Sequence, residues 1–392
     1  MTARIARPGP APALLVPAPE WDLSYPPPRR RSAYAAAHVA AFPDGSIDWA
    51  ATMAFREHLW RHGFGLAEAM DTAQRGMGLT FAQAGELITR SAARAAELGA
   101  VIASGAGTDQ LAPGPHPLAD IVAAYAEQID LVQSAGSQVI LMASRALAAT
   151  ARSAADYQEV YGRVLTLADQ PVLLHWLGAP FDPALAGYWG SAEFGAAADT
   201  VVGLIERADG KVAGVKLSVL DAGSEIALRR RLPAGVRLYT GDDYNYAELI
   251  RGDAQGHSDA LLGTFAAVTA PAAAALHALD AGDLAGYDAA IGPTVPLSRL
   301  IFEPPAYDYK VGVAFLAWLN GLQADFAMIG ALQDRRSAGH LTRVFELAAR
   351  ARALRDPELA VSRMTTWLAG TGAGTGAGAG ARAPAGATRA GE

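Results

Sequence analysis

The chain has 392 residues, of which 51% are hydrophobic and 18% charged, and its net charge is −7. It is too apolar for a disordered chain, long enough for one large α/β domain or two ordinary ones, and too acidic for a sequence-independent nucleic-acid binder. The absence of cysteine excludes disulfides, thiolate metal sites and a cysteine nucleophile, and no uninterrupted apolar run reaches the ~18 residues that span a bilayer.

Residues 1–30 are rich in Pro and Ala and run into PPPRRR at 26–31, which predicts an extended arm. The prolines break up anything resembling a secretory apolar stretch, so a cytoplasmic protein is expected. From residue 31 a rhythm sets in of helical stretch, Gly or Pro stop, and short apolar run. The first two candidate strands are 35–42 (AAAHVAAF) and 64–70 (FGLAEAM). Thr80-Phe-Ala-Gln83 reads as a capping box for a helix to Leu98, stopped by Gly99 and followed by a strand at 100–104. The same grammar predicts strands at 139–143, 172–176, 212–219, 236–240 and 259–265. Eight short apolar strands alternating with helices over 31–270 predict an α/β fold, a (β/α)8 TIM barrel; a doubly wound sheet is the competing architecture. Residues 271–367 read as a helical C-terminal extension, and 368–392 as a disordered Gly/Ala-rich tail.

In such a barrel the active site lies where strands end and βα loops begin. The polar residues there are Asp71 and Thr72 after strand two, Ser104 after three, Ser144 and Arg145 after four, His175 on five, Lys216 and Ser218 on six, and Asp242 and Asp243 after seven. Only three of the 32 basic residues are lysines, namely Lys211, Lys216 and Lys310. Arginine does not give up its proton in a protein, whereas a desolvated lysine can become a neutral nucleophile. Lys216 lies within the apolar run Val-Ala-Gly-Val-Lys-Leu-Ser-Val and shares a strand face with Gly214 and Ser218. Burial there favours the neutral amine, which can form an imine with a ketone; the bland alternative is a lysine whose head escapes to solvent. His175, among apolar residues, is either a proton shuttle or a satisfied core histidine. The Asp242–Asp243 pair reads as binding carboxylates or as a turn, and Ser104–Asp109 as an anion cradle or a flexible turn. His58 and His62, four apart without an intervening HExxH pattern, read as a solvated helix face. His257 and Asp259 are placed near strand eight, within reach of a metal site with His175, Asp242 and Asp243.

The order of segments resembles the dihydrodipicolinate synthase and N-acetylneuraminate lyase family over about residues 40–325. The resemblance rests on Ala41–Asp48, Leu79–Gln83, Pro171–Trp176, Val212–Leu217, Tyr239–Asp243 and Phe302–Lys310, each similar to a family segment in the family's order. It implies a Schiff-base lysine at Lys216. The family's Thr–Thr pair, which holds the substrate carboxylate, aligns with Thr72 and Ala73. Its strand-five tyrosine falls at His175, and the arginine five residues later at Pro180, so lysine-pathway synthase activity is not expected. The segment between His175 and Lys216 is longer than usual, and its Tyr188, Trp189 and Phe194 read as a lid or a subunit contact.

These readings converge on a lyase or aldolase, with dehydratase chemistry as a variant, acting on a 2-oxo acid or sugar-derived carbonyl substrate. Lys216, His175 and Thr72 are the catalytic candidates; Ala73, Arg145, Ser218, Asp242 and Asp243 are the substrate-binding ones. No organic cofactor is called for, because the imine is itself the electron sink. The resemblance implies a homo-oligomer, dimer or tetramer, with no nucleic-acid or membrane partner. Two alternatives stay open: a metal-dependent sugar isomerase or class II-like aldolase on His175, Asp242, Asp243 and His257, and a non-catalytic metabolite-binding paralogue.

Overall fold

The computed structural model describes residues 3–5, 14–17, 20–70 and 74–371. Two of the site candidates, Thr72 and Ala73, lie outside the described residues, as do Asp71 and residues 372–392. In the arm, β1 (Ala3–Ile5) and β2 (Leu14–Val16) form an antiparallel ladder. Further along, Trp21 Nε1 donates to the Arg352 carbonyl at 2.9 Å, and the Arg29 and Arg30 amides donate to the Asp280 carboxylate. This part of the arm is therefore held on the chain's own C-terminal helices.

The barrel consists of β3 (Ala33–Ala35), β4 (Gly65–Glu68), β5 (Ile102–Ala106), β6 (Gln138–Leu141), β7 (Val172–Leu177), β8 (Val212–Ser218), β9 (Arg237–Thr240) and β10 (Asp259–Leu262). The strands are parallel and close in that order, with β10 pairing back to β3. Side chains alternate across the wall. Tyr34, Ala67, Ala103, Ile140, Leu173, Tyr239 and Leu261 fill the lumen, while their neighbours Leu66, Val139, Leu174, Val215 and Leu262 pack into the helix layer. Each such aliphatic burial contributes about 1.5–3 kcal/mol.

The helix Phe81–Leu98 shows how local sequence sets an element. Thr80 Oγ1 accepts from Gln83 N at 3.3 Å, Gln83 Oε1 accepts from Thr80 N at 2.9 Å, and Gly99 ends the helix at φ +61°. The first barrel strand departs from expectation, at 33–35 rather than 35–42. After Ala36 N pairs with Leu262 O, the neighbouring strand has ended, and side chains satisfy the backbone instead: Val39 N donates to Gln74 Oε1 and Ala40 N to Thr52 Oγ1. The last strand stops at Leu262, ahead of the predicted 265, because a short helix begins at Thr264.

His58 and His62 are not a solvated face. Both are buried, with ring centroids 4.4 Å apart, and Tyr25 of the arm lies against His62. A single helix pattern carries no information about a segment elsewhere in the chain that covers it. Beyond the barrel come helices Thr269–Ala281, Leu284–Ile291, Val295–Ile301, Lys310–Leu319, Ala338–Arg350 and Pro357–Gly370. The Lys310–Leu319 helix is buried along almost its whole length. Among the described residues no helix is long and apolar enough to cross a membrane.

Candidate active site

The lysine-bearing strand is β8. Gly214 and Ser218 share a face with Lys216, and that face looks into the lumen beside the inward-facing Tyr239. Lys216 stands in register with His175 on β7 and Tyr239 on β9. Its side chain is buried, with the residue 5% exposed, and Nζ reaches across the lumen to within 3.5 Å of Met70 Sδ, just past the end of β4. His175 is 2% exposed, and its Nε2 lies 3.3 Å from Ser218 Oγ. The sequence-predicted trio of Lys216, His175 and Ser218 is thus brought to the C-terminal mouth of one barrel.

Space around Lys216 is bought from Gly241. A Cβ there would lie 2.1 Å from Ser218 Oγ, 2.8 Å from the Leu217 carbonyl and 2.9 Å from Lys216 Cε. The glycine of Tyr-Thr-Gly-Asp-Asp therefore lets β9 pass directly beside the amine-bearing stem.

Asp242 and Asp243 are buried at the same mouth, but they hold backbone. Asp242 accepts from the amides of Tyr244 and Asn245 and from Asn245 Nδ2, and Asp243 Oδ1 accepts from Thr264 N at 2.9 Å. Arg145 opens the helix Arg145–Thr150, which Ser144 caps through Leu147 N. Its side chain is 54% exposed, and its Nε donates to Asp182 Oδ2 at 2.6 Å. Ser104 faces the helix layer and pairs with Ser137, away from the mouth. The Ser104–Asp109 segment is no anion cradle: Gly107 N donates to Gln128 Oε1, and Asp109 is paired with Arg75.

His257 and Asp259 lie at the opposite end of the barrel. They flank the start of β10, where His257 is exposed and Asp259 bonds Arg237 and Ser32 N. Proximity in sequence to strand eight did not say which end of it they occupy. The metal set that included His257 is therefore not assembled, and no other metal-holding group of His, Asp and Glu occurs among the described residues. Tyr188 and Trp189 are not a lid either. Both are buried against Tyr157 and Tyr161, and Phe194 stacks on Trp176. The Tyr188 hydroxyl accepts from Ser144 N, and Tyr125 OH donates to the Met142 carbonyl, so this phenol layer fixes the loop leaving β6.

Sequence reasoning missed Arg75, Met70, Met142 and the role of Lys310. Arg75 is buried and spends its guanidinium on Asp109 Oδ2, the Ala69 and Gly105 carbonyls, and Gln128 Oε1. It ties the loop after β4 to the loop after β5. Burial pushes Asp109 upward, but the charge of Arg75 and the hydrogen bonds from Arg75 and Gln128 outweigh it and hold the carboxyl below its ordinary value. Lys310 Nζ donates to the Ala36 and Ala37 carbonyls at 2.7 and 2.8 Å, anchoring the end of β3. Beside these groups lies a cavity of about 490 Å³, with Arg75, Asp109, Thr108, Met142 and Arg145 in its wall.

A closed parallel eight-stranded barrel with helices appended after its last strand is a fold this chain shares with solved dihydrodipicolinate synthase structures. The pyruvate complex of YagE, a prophage protein of the dihydrodipicolinic acid synthase family from Escherichia coli K12, superimposes with a TM-score of 0.63 at 15% identity, covering 81% of this chain and 99% of that one. Dihydrodipicolinate synthase from Oceanobacillus iheyensis gives 0.59 at 17% identity (81% and 95%), and that from Aquifex aeolicus 0.60 at 14% (83% and 99%). At such identities the likeness establishes the fold. No curated protein sequence matches the chain. By sequence the chain belongs to the family described as "Protein of unknown function (DUF993)", whose model matches residues 12–373.

Proposed function

We propose that the protein is a class I lyase or aldolase that forms a Schiff base between Lys216 and a 2-oxo acid or related carbonyl compound. The observation that carries this reading is the position of the Lys216 amine, inside the lumen at the C-terminal mouth and in register with His175. The Met70 thioether, 3.5 Å from Nζ, is uncharged and flexible, and can swing aside for a ligand. The Nζ lone pair attacks the carbonyl carbon, and the resulting carbinolamine loses water to give the imine. Cleavage of the carbon–carbon bond then sends its electron pair into the imine, leaving an enamine, while the departing carbinol loses its proton and leaves as a carbonyl compound. Protonation of the enamine carbon and hydrolysis release the second product and restore the amine.

His175, with Ser218 at 3.3 Å, supplies the proton relay beside the carbinolamine oxygen. The imine is the electron sink, so the scheme needs no organic cofactor. Incubation with pyruvate, reduction with borohydride and peptide mass mapping test the proposal. A reduced adduct is expected on Lys216 and lost in Lys216→Arg, whose guanidinium cannot act as a neutral amine. The absence of any adduct across a panel of 2-oxo acids overturns it.

A further inference from the structure

The cavity of about 490 Å³ is of the size that encloses a small organic ligand. It opens between the loops leaving β5 and β6, and its wall is dominated by small apolar side chains: Ala112, Ala143, Ala146, Ala148, Ala149 and Ala184. Its charged side chains are paired and its threonine is bonded. Thr108 Oγ1 is paired with Ser144 Oγ at 2.7 Å. Arg75 is charge-paired with Asp109 at 2.9 Å, and Arg145 with Asp182 at 2.6 Å. The two arginines therefore add no net positive charge to the wall, and the outer nitrogens of Arg145, which bonds Asp182 through Nε, are half-exposed to water. Each buried hydroxyl without a partner weakens binding.

A methionine lies at the cavity and another at the amine. Met142 lines the cavity. A Cβ on Gly105 would lie 2.6 Å from Met142 Sδ and 2.8 Å from Met70 Cα, so the absent side chain leaves room for the Met142 sulfur beside the Met70 backbone. Met70 Sδ in turn lies 3.5 Å from Lys216 Nζ. A thioether at the amine and a thioether at the cavity wall thus lie on either side of one glycine, and thioethers are the most adaptable apolar side chains.

We infer that this cavity receives the far end of the substrate, and that this end is an uncharged apolar chain. The substrate class is a 2-oxo acid with a hydrocarbon tail, as opposed to a polyhydroxylated sugar acid. The inference rests on the imine reading for the placement of the carbonyl, and on the cavity alone for the nature of the tail.

The test compares 2-oxohexanoate with 2-oxo-3-deoxygluconate, a six-carbon 2-oxo acid bearing hydroxyls. Borohydride trapping is measured on the wild type, and binding by calorimetry on Lys216→Ala, where no imine forms. The expected result is at least a tenfold preference for 2-oxohexanoate in both measurements, collapsing when Ala149, an exposed residue of the cavity wall, is enlarged as Ala149→Trp. A preference for the hydroxylated acid, or a selectivity that Ala149→Trp leaves in place, overturns the inference, while an adduct of pyruvate on Lys216 still upholds the imine. If nothing is trapped but Lys216→Ala keeps the preference and Ala149→Trp removes it, the cavity assignment stands and the imine reading falls. If neither trapping nor binding occurs, both fall.

Discussion

At the scale of single residues, the site is shaped as much by a missing side chain as by those present. Gly241 leaves Lys216 Cε and Ser218 Oγ the volume a methyl group would occupy. Gly241→Ala is expected to destabilise the fold by about 1–3 kcal/mol through overpacking. It should also suppress trapping at Lys216 by displacing the stem, as thermal melts and adduct yield measured on the same preparation will show. A variant that traps at the wild-type rate speaks against the crowding argument. The glycine lay in a segment the sequence singled out for its aspartates, yet the aspartates turned out to cap backbone. What made the glycine matter, the approach of β9 to β8, is a property of neighbouring strands and carries no local signature.

At the scale of elements, the mouth is held by clamps between segments far apart in the chain. The Lys310–Leu319 helix begins with an ammonium that bonds the two carbonyls just past the first barrel strand, 274 and 273 residues away. Lys310→Met preserves the stem but leaves the Ala36 and Ala37 carbonyls without these donors in a buried site. A loss of about 2–4 kcal/mol is expected in denaturant unfolding; a change below 0.5 kcal/mol, the ~0.5 typical of neutral surface substitutions, would sink the clamp. Elements whose ends are set by adjacent residues were readable in advance, as with the capping box at Thr80 and Gln83 and the stop at Gly99. Elements ended by a partner, such as β3 where β10 gives out, were not. Arg75 was likewise invisible, because its acceptors come from two loops, a strand and a helix that meet only in the fold.

At the scale of the whole molecule, burial sets the response to pH. Desolvation holds His38 and His58 down at about 3 against an ordinary 6.5, and pushes Glu225 up to about 8 against an ordinary 4.5. The folded state binds protons less readily than the unfolded chain at the two histidines. Their contribution is present above 6.5 and lost as the pH falls toward 3. At Glu225 the folded state binds the proton more tightly, so that contribution is full below 4.5 and is lost as the pH rises through 8. These groups together place the stability maximum near pH 6.5, with the alkaline decline flattened in Glu225→Gln. Calorimetric melting temperatures from pH 4 to 9, spanning the ~4.5 and ~8 limits of the linkage, check both; an unchanged alkaline slope in the variant removes Glu225 from the account.

The strand count, the alternation of strand and helix, and a lysine within the sixth apolar strand were determined by sequence, since they follow from periodicity and composition; that its amine faces the lumen was not. Tertiary structure alone decided that His257 sits at the wrong end, that both aspartates and Arg145 are already engaged, and that one methionine lies at the amine and another at an alanine-walled cavity. The physical reason is the same throughout. Alternation along a strand is a short-range steric rule, whereas the partners of a buried polar group are whatever distant segments closure of the barrel brings within about 3 Å.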